Sequence, residues 1–286
     1  MTRTPIYIRI AVWAGVAVLL LWSLAPIYWT LASSITPTVE FSDKPLHLFP
    51  QMPTSEHYQR LVGLMDGHFG GVDVAQGFRL ALFNSIVTSA AATVLCVLFS
   101  LLAAYAFARL EFWGRDVLFY AVVATMAIPG YAVIIPLFRL MVATGQIDSY
   151  LGVTLIYVSA FLPLSLWLMK GVLDALPRSL EEAARMDGAG HLRILFWIIA
   201  PISAPGLTAT AILTFLGAWG QYVVPLIFSP KQAKPLTVLI PEFAGKNFVD
   251  YGLIMAGGSI AIVVPCLLVI FLNRYLISGL LAGSGK

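Results

Sequence analysis

The residues best equipped for chemistry gather in one stretch, 171–201, where Ser179, Glu181, Glu182, Arg185, Asp187, His191 and Arg193 lie close together. Bond-making chemistry needs a base beside a nucleophile, or ligands converging on a metal. Neither pattern is present, and His191, placed after a glycine turn on a charged loop, reads as a solvated helix-start residue. The spacing serves helix construction instead. Ser179-Leu180-Glu181-Glu182 fits a capping box, in which the Ser179 hydroxyl accepts from the Glu182 N–H and the Glu182 carboxylate accepts from the Ser179 N–H. Leu180, Ala183, Ala184 and Met186 give this helix an apolar side, and the small alanines leave room for another chain. Asp187-Gly188-Ala189-Gly190 then supplies a turn with Gly188 left-handed. A second helix is predicted from His191 to Ala200, stopping before Pro201.

Other candidate motifs dissolve on inspection. The terminal Gly283-Ser284-Gly285-Lys286 lacks the spacing, the Ser or Thr after Lys and the following helix of a phosphate loop, so this stretch does not read as a nucleotide site. Cys96 and Cys266 lie in apolar runs without Cys or His at ligand spacing, which predicts two buried apolar residues and neither a disulfide nor a metal site. The net charge of +3 reports membrane orientation, and nucleic acid need not be invoked.

The elements that must carry the charged stretch are apolar. Of 286 residues, 59% are hydrophobic and 11% charged, with mean hydropathy +0.89, against about 25% charged in soluble domains. Crossing a hydrocarbon core of about 30 Å takes roughly 20 helical residues at about 1.5 Å each. Six segments are long enough: 10–32, 83–108, 117–142, 150–169, 206–228 and 253–277. Arg3 and Arg9 precede the first, which is too long for a cleaved signal and is predicted to stay as a helix. Continuous apolar runs without alternation point to an all-α bundle rather than a β-barrel. Six spans place both termini on one side. With that side cytoplasmic, ten Lys and Arg face six Asp and Glu inside, and seven face eight outside, as the positive-inside rule expects. The simplest division is one membrane domain, 1–286, with an outside loop at 33–82 rich in Pro and Gly, the inside loop at 171–201 and an outside loop at 229–252.

Within the spans, Pro129, Pro136 and Pro163 each remove a backbone hydrogen bond. Pro129, followed by Gly130 and Tyr131, is the preferred hinge beside a gated path, with packing alone as the other explanation of a kink. Trp219, Gln221 and Tyr222 fit two roles: aromatic faces and an amide lining a sugar path, or anchorage at the membrane interface.

At the inside loop the sequence resembles the coupling loop of ABC-importer permeases, Glu-Ala-Ala, three residues, Gly, nine residues, Ile, one residue, Leu-Pro. Here it stands as Glu182-Ala183-Ala184, Gly188, Ile198 and Ala200-Pro201, departing only at Ala200. Its place before the penultimate span makes the match specific. Met126-Ala127-Ile128-Pro129, Ile135-Pro136-Leu137-Phe138, Leu162-Pro163-Leu164 and the stretch from Leu176-Pro177 to Ala189 resemble the carbohydrate-type branch, as found in the second membrane subunit of the maltose importer. Trp219-Gly220-Gln221-Tyr222 departs from that branch's Trp-Asn-Glu-aromatic, which puts in doubt any polar contact borrowed from there. The tail from Asn273 to Gly283 is similar to the branch's C-terminus, which reaches into the ATPase interface, but it stops early at Lys286.

The resemblance implies a six-helix importer permease in a bacterial or archaeal cytoplasmic (inner) membrane, with no catalytic residue and no metal. It implies that Glu182, Ala183, Ala184, Asp187 and Gly188 dock an ATPase. The expected partners are a second homologous permease, two ATPase subunits carrying ATP and Mg, an extracytoplasmic solute-binding protein and the lipid bilayer. The resemblance also implies that the 229–252 loop, with its tip near Gly245, Lys246 and Asn247, probes the binding protein; an ordinary hairpin is the alternative. A secondary transporter not coupled to ATP is the main rival class, but these spans lack a central Asp or Glu. A membrane enzyme would need an acid-base or metal constellation, and none is evident.

Overall fold

The computed structural model describes residues 5–43, 47–245 and 248–283. Its elements are almost all helical: α1 (Ile6–Ser34), α2 (Glu56–Val62), α3 (Val74–Arg109), α4 (Arg115–Ala124), α5 (Ile134–Ala143), α6 (Tyr150–Asp174), α7 (Ser179–Met186), α8 (His191–Ile194), α9 (Ala200–Ile202), α10 (Ala204–Trp219), α11 (Val223–Phe228), α12 (Leu236–Glu242) and α13 (Tyr251–Gly283). A small antiparallel hairpin pairs β1 (His68–Phe69) with β2 (Val72–Asp73). Four helices, α1, α3, α6 and α13, are long and apolar enough to cross a membrane singly.

Two bent helix pairs replace the continuous helices expected over 117–142 and 206–228, and the candidate spans number up to six if each pair is one span. Residues Arg115–Ala127 and Gly130–Ala143 meet at 93°. Ile128 is extended at ψ 122°, as a residue before proline prefers, and Pro129 has no N–H to continue the ladder. Residues His191–Ile202 and Ala204–Trp219 meet at 80°. There the chain turns at Ser203, and Pro205 opens α10 in the first turn, where a missing N–H costs nothing. The predicted fifth span is therefore displaced. It ends at Trp219, and Val223–Phe228 is the separate helix α11. The second helix of the inside loop likewise runs past Pro201 to Ile202, through a π turn at Leu195–Ile199 whose wide i→i+5 bonding interrupts the ordinary ladder.

By internal contacts the chain divides into two units, Met1–Arg79 with Leu239–Val263, and Leu80–Val238 with Val264–Lys286. In the first unit, α1 is apolar all round and buries only Ser33 and Ser34. Tyr58 bridges its end to α13, its hydroxyl lying 2.7 Å from both Ser34 Oγ and Ser259 Oγ. Arg60 donates to Asp250 at 2.9 Å, while the other Asp250 oxygen accepts from the Leu253 N–H at 2.9 Å and so caps the start of α13.

In the second unit, α6 and α10 lie close because glycine permits it. A Cβ on Gly206 would come within 2.6 Å of Val172, and one on Gly217 within 2.6 Å of Phe161. Ser165 and Thr214 hydroxyls meet between these points at 3.0 Å. Small residues and buried hydroxyls are the usual means of joining helices where lipid removes the hydrophobic drive. Cys96 is buried in this unit as expected, but Cys266 on α13 is exposed, against the expectation.

Candidate functional site

The inside loop folds as a short helix held by a buried charge. The helix α7 begins without the predicted capping box. Arg178 is itself helical, its carbonyl accepts from the N–H groups of both Glu181 and Glu182, and no side chain caps the end. Ser179 thus lies inside the first turn, where its hydroxyl no longer faces the free N–H groups. Glu181 and Glu182 still sit in that first turn, a favourable place for negative charge beside the helix dipole.

The other end matches the expectation. Gly188 is left-handed at φ 79°. Its N–H donates to the Arg185 carbonyl at 2.9 Å and the Ala189 N–H to the Ala184 carbonyl at 3.0 Å, the paired bonds of a Schellman stop. His191 opens the next helix, as predicted, and is exposed.

Which face of α7 points inward is the main correction. Glu181 and Ala184 are buried, whereas Leu180, Glu182, Ala183, Met186 and Asp187 are exposed, Met186 at 89%. The apolar side inferred from sequence is therefore split. Ala184 faces its own bundle, among Ile194, Leu195 and Leu173, and only Ala183 is left to admit another chain. Amphipathicity is inverted here, with an acid inside and Leu180 and Met186 outside.

Glu181 is tolerable inside because two side chains meet its carboxylate. Arg109 at the end of α3 donates from Nε to its Oε1, and both side chains are 5% exposed. Tyr105, one turn earlier, donates to its Oε2 at 3.3 Å, and the same hydroxyl lies 3.4 Å from His191 Nδ1. The second guanidinium nitrogen of Arg109 donates to the carbonyls of Leu173 at 2.8 Å and Leu176 at 3.0 Å, where α6 ends. A fork-shaped cation suits this task, since it satisfies a carboxylate and helix-terminal carbonyls together. Glu182, by contrast, takes part in none of the ion pairs among the described residues, so its carboxylate faces solvent.

The candidate path residues lie at two helix breaks. Pro129 and Tyr131 occupy the 93° bend, both exposed. Trp219 ends α10 and is buried, its ring stacked on Phe215 with centroids 5.6 Å apart. Gln221 offers its main-chain carbonyl to Thr237 at 2.6 Å, and Tyr222 is exposed beside it. The breaks feed elements that touch: α5 follows the first, α11 follows the second, and both pack with α6 through Met141, Ile156 and Phe228.

Elsewhere in the second unit, Asp148 adopts a left-handed backbone, φ 57°. Its carboxylate accepts from the N–H groups of Lys231, Gln232 and Ala233 and from the Ser229 hydroxyl. Burial alone would raise its pKa, but these donors outweigh it and hold the carboxyl below its ordinary value. Asn84 completes the latch by donating to the carbonyls of Gln232 and Lys234 and accepting from Tyr150. Neither Glu181–Arg109 nor Asp148 was singled out from sequence. The one available signal was a charge just outside a predicted span, Arg109 directly after 83–108 and Asp148 shortly before 150–169.

Of the proposed probing loop, Gly245 lies just inside an isolated Ala244–Val249 bridge, while Lys246 and Asn247 lie outside the described residues. The tail is helical to Gly283, and the Lys286 end lies outside them too.

Comparison with known proteins gives these features a setting. Residues 75–281 match the family described as binding-protein-dependent transport system inner membrane component. The trehalose transport system permease protein SugB of Mycobacterium tuberculosis is 32% identical over 97% of this chain and 98% of its own. The trehalose/maltose transport system permease protein MalG of Thermococcus litoralis is 31% identical over 99% of both. The osmoprotective compounds uptake permease protein GgtD of a Synechocystis strain is 35% identical over 77% of this chain and 74% of its own. In three dimensions the fold is similar to a chain of a bacterial ABC transporter involved in import of the acidic polysaccharide alginate, with TM-score 0.79, 22% identity and coverage of 96% of this chain and 98% of that one.

Proposed function

Since the chain belongs to the family of binding-protein-dependent transport system inner membrane components, we propose that it forms one half of a heteromeric pore importing a saccharide or sugar-derived solute. The other half is a second, homologous permease. Two ATPase subunits, with ATP and Mg bound to them, drive the pore from the cytoplasm, and an external solute-binding protein delivers the cargo. Both termini lie in the cytoplasm and six spans cross the membrane, counting each bent pair as one. No bond is made or broken by this chain.

One observation carries the reading: α7 presents Glu182, Ala183 and Met186 outward in a preformed, Schellman-stopped helix, at the spacing of a coupling loop. A helix of exposed apolar residues around one free acid suits docking in a groove of another subunit. ATP binding would then close the ATPases, move α7 and open the pore outward, with hydrolysis resetting it. The broken third and fifth spans supply the places where such movement is absorbed, with Pro129, Tyr131, Trp219, Gln221 and Tyr222 as the path candidates. A saccharide is favoured because two relatives matched over nearly their whole length are trehalose or trehalose/maltose permeases.

The test is Glu182→Lys in the assembled complex, assayed with trehalose and maltose as probes. ATP hydrolysis should become independent of sugar and binding protein, with uptake reduced about tenfold or more, equivalent to about 1.4 kcal/mol of lost coupling. Normal coupled uptake in this variant would sink the docking role.

A further inference from the structure

We infer that the Glu181–Arg109 pair is the joint through which displacement of α7 reaches the bundle, a task separate from the ATPase contact at Glu182. The inference rests on reading α7 as the coupling helix. Only two residues of α7 are buried, Glu181 and Ala184, so the helix has two attachment points. Ala184 offers a methyl group, an apolar contact without direction, which tolerates sliding. Glu181 offers a charge that is 5% exposed and held by a cation equally buried. Separating them would leave two desolvated charges without a counter-charge, a far greater penalty than the loss of an apolar contact.

Geometry adds a second argument. Arg109 binds in two directions at once, from Nε to Glu181 on α7 and from its other nitrogen to Leu173 and Leu176 at the end of α6, at 2.8 and 3.0 Å. One side chain of α3 thereby ties the coupling helix to two spanning helices. A planar, rigid fork fixes orientation as well as distance. Because α7 cannot shift against α3 without breaking several bonds together, the three helices move as one body. The adjacent acids have different tasks: Glu182 receives the push and Glu181 passes it on.

A pair that served only folding could be replaced by apolar residues of similar volume. The decisive variant is therefore the double replacement Glu181→Leu with Arg109→Met, compared with Glu181→Gln, which keeps an acceptor. Spin labels at exposed Ser179 on α7 and exposed Leu98 on α3 report their separation in the full complex with its ATPases, in lipid nanodiscs, without nucleotide and with ATP plus vanadate. With the native pair the distance should stay the same in both states. In the double variant it should change by about 2 Å or more, the scale of helix shifts at moving interfaces, with a smaller change for Glu181→Gln. A distance that already changes with the native pair, one that stays constant in the double variant, or a double variant that fails to assemble would each overturn the joint. Failure of the unaltered chain to co-purify an ATPase would instead overturn the permease reading itself.

Discussion

Two short segments of the second unit are each tied down by an acid, and they are tied differently. At α7 the carboxylate of Glu181 meets a cation from another helix. At residues 229–233 the carboxylate of Asp148 meets main-chain N–H groups and one hydroxyl. The first tie depends on two side chains and can be broken from either end. The second depends on one, since its donors are backbone and survive almost any substitution. A side-chain tie carries direction between helices; a backbone nest holds a loop in shape.

Substitutions break this contrast unequally. Arg109→Ala strands Glu181 and should cost roughly 3–5 kcal/mol, the range for uncompensated buried charges, seen as a large fall in melting temperature or loss of the inserted protein. Asp148→Asn keeps the shape but weakens charge-assisted bonds worth about 1.5–3 kcal/mol, and should lower melting temperature without releasing α7 from α3. Gly188→Ala forces a Cβ into a left-handed backbone at about 1–2 kcal/mol. It should loosen the stop of α7, raising hydrogen exchange at the Gly188 and Ala189 amides while leaving the Asp148 latch intact.

The smallest effect is in pH. Asp148 has a depressed folded-state pKa, so its contribution is fully present above the unfolded carboxyl value of about 3.9 and is lost as pH falls through the lower folded value. Melting of the native chain minus that of Asp148→Asn should therefore be flat from pH 7 to about 5 and shrink below about 4. A difference that grows on acidification would mean the nest does not stabilise the charged form.

Much of this was legible because hydropathy and turn chemistry act locally. The long helices α1, α3, α6 and α13 follow from unbroken apolar runs, and the turn at Gly188 from the spacing around it. Pro129 marked the bend within 117–142, but the end of α10 at Trp219 was hidden, because Val223–Phe228 continues the apolar run beyond Gly220-Gln221-Tyr222. The capping box failed by one residue: its pattern was present, but α7 is already helical at Arg178. Which of two adjacent acids faces inward was not legible at all. Glu181 and Glu182 differ by about 100° around the helix, and what decides between them is Arg109, 72 positions away.

The isolation of α1 has a consequence for variation. Its most apolar 18-residue window has no residue buried by its own chain, so lipid transfer, or another subunit's surface, sets the preferences there, while its last turns contact Leu48, Phe49 and Tyr58. Exchange of one aliphatic residue for another there should leave this chain's fold untouched, whereas the same exchange at Val172 or Phe161, against the glycines of α10, meets a neighbour at once. Within this chain, α1 can drift in sequence while keeping its length and hydropathy. Insertion of such a helix needs only those two properties, and it can precede packing against any other helix.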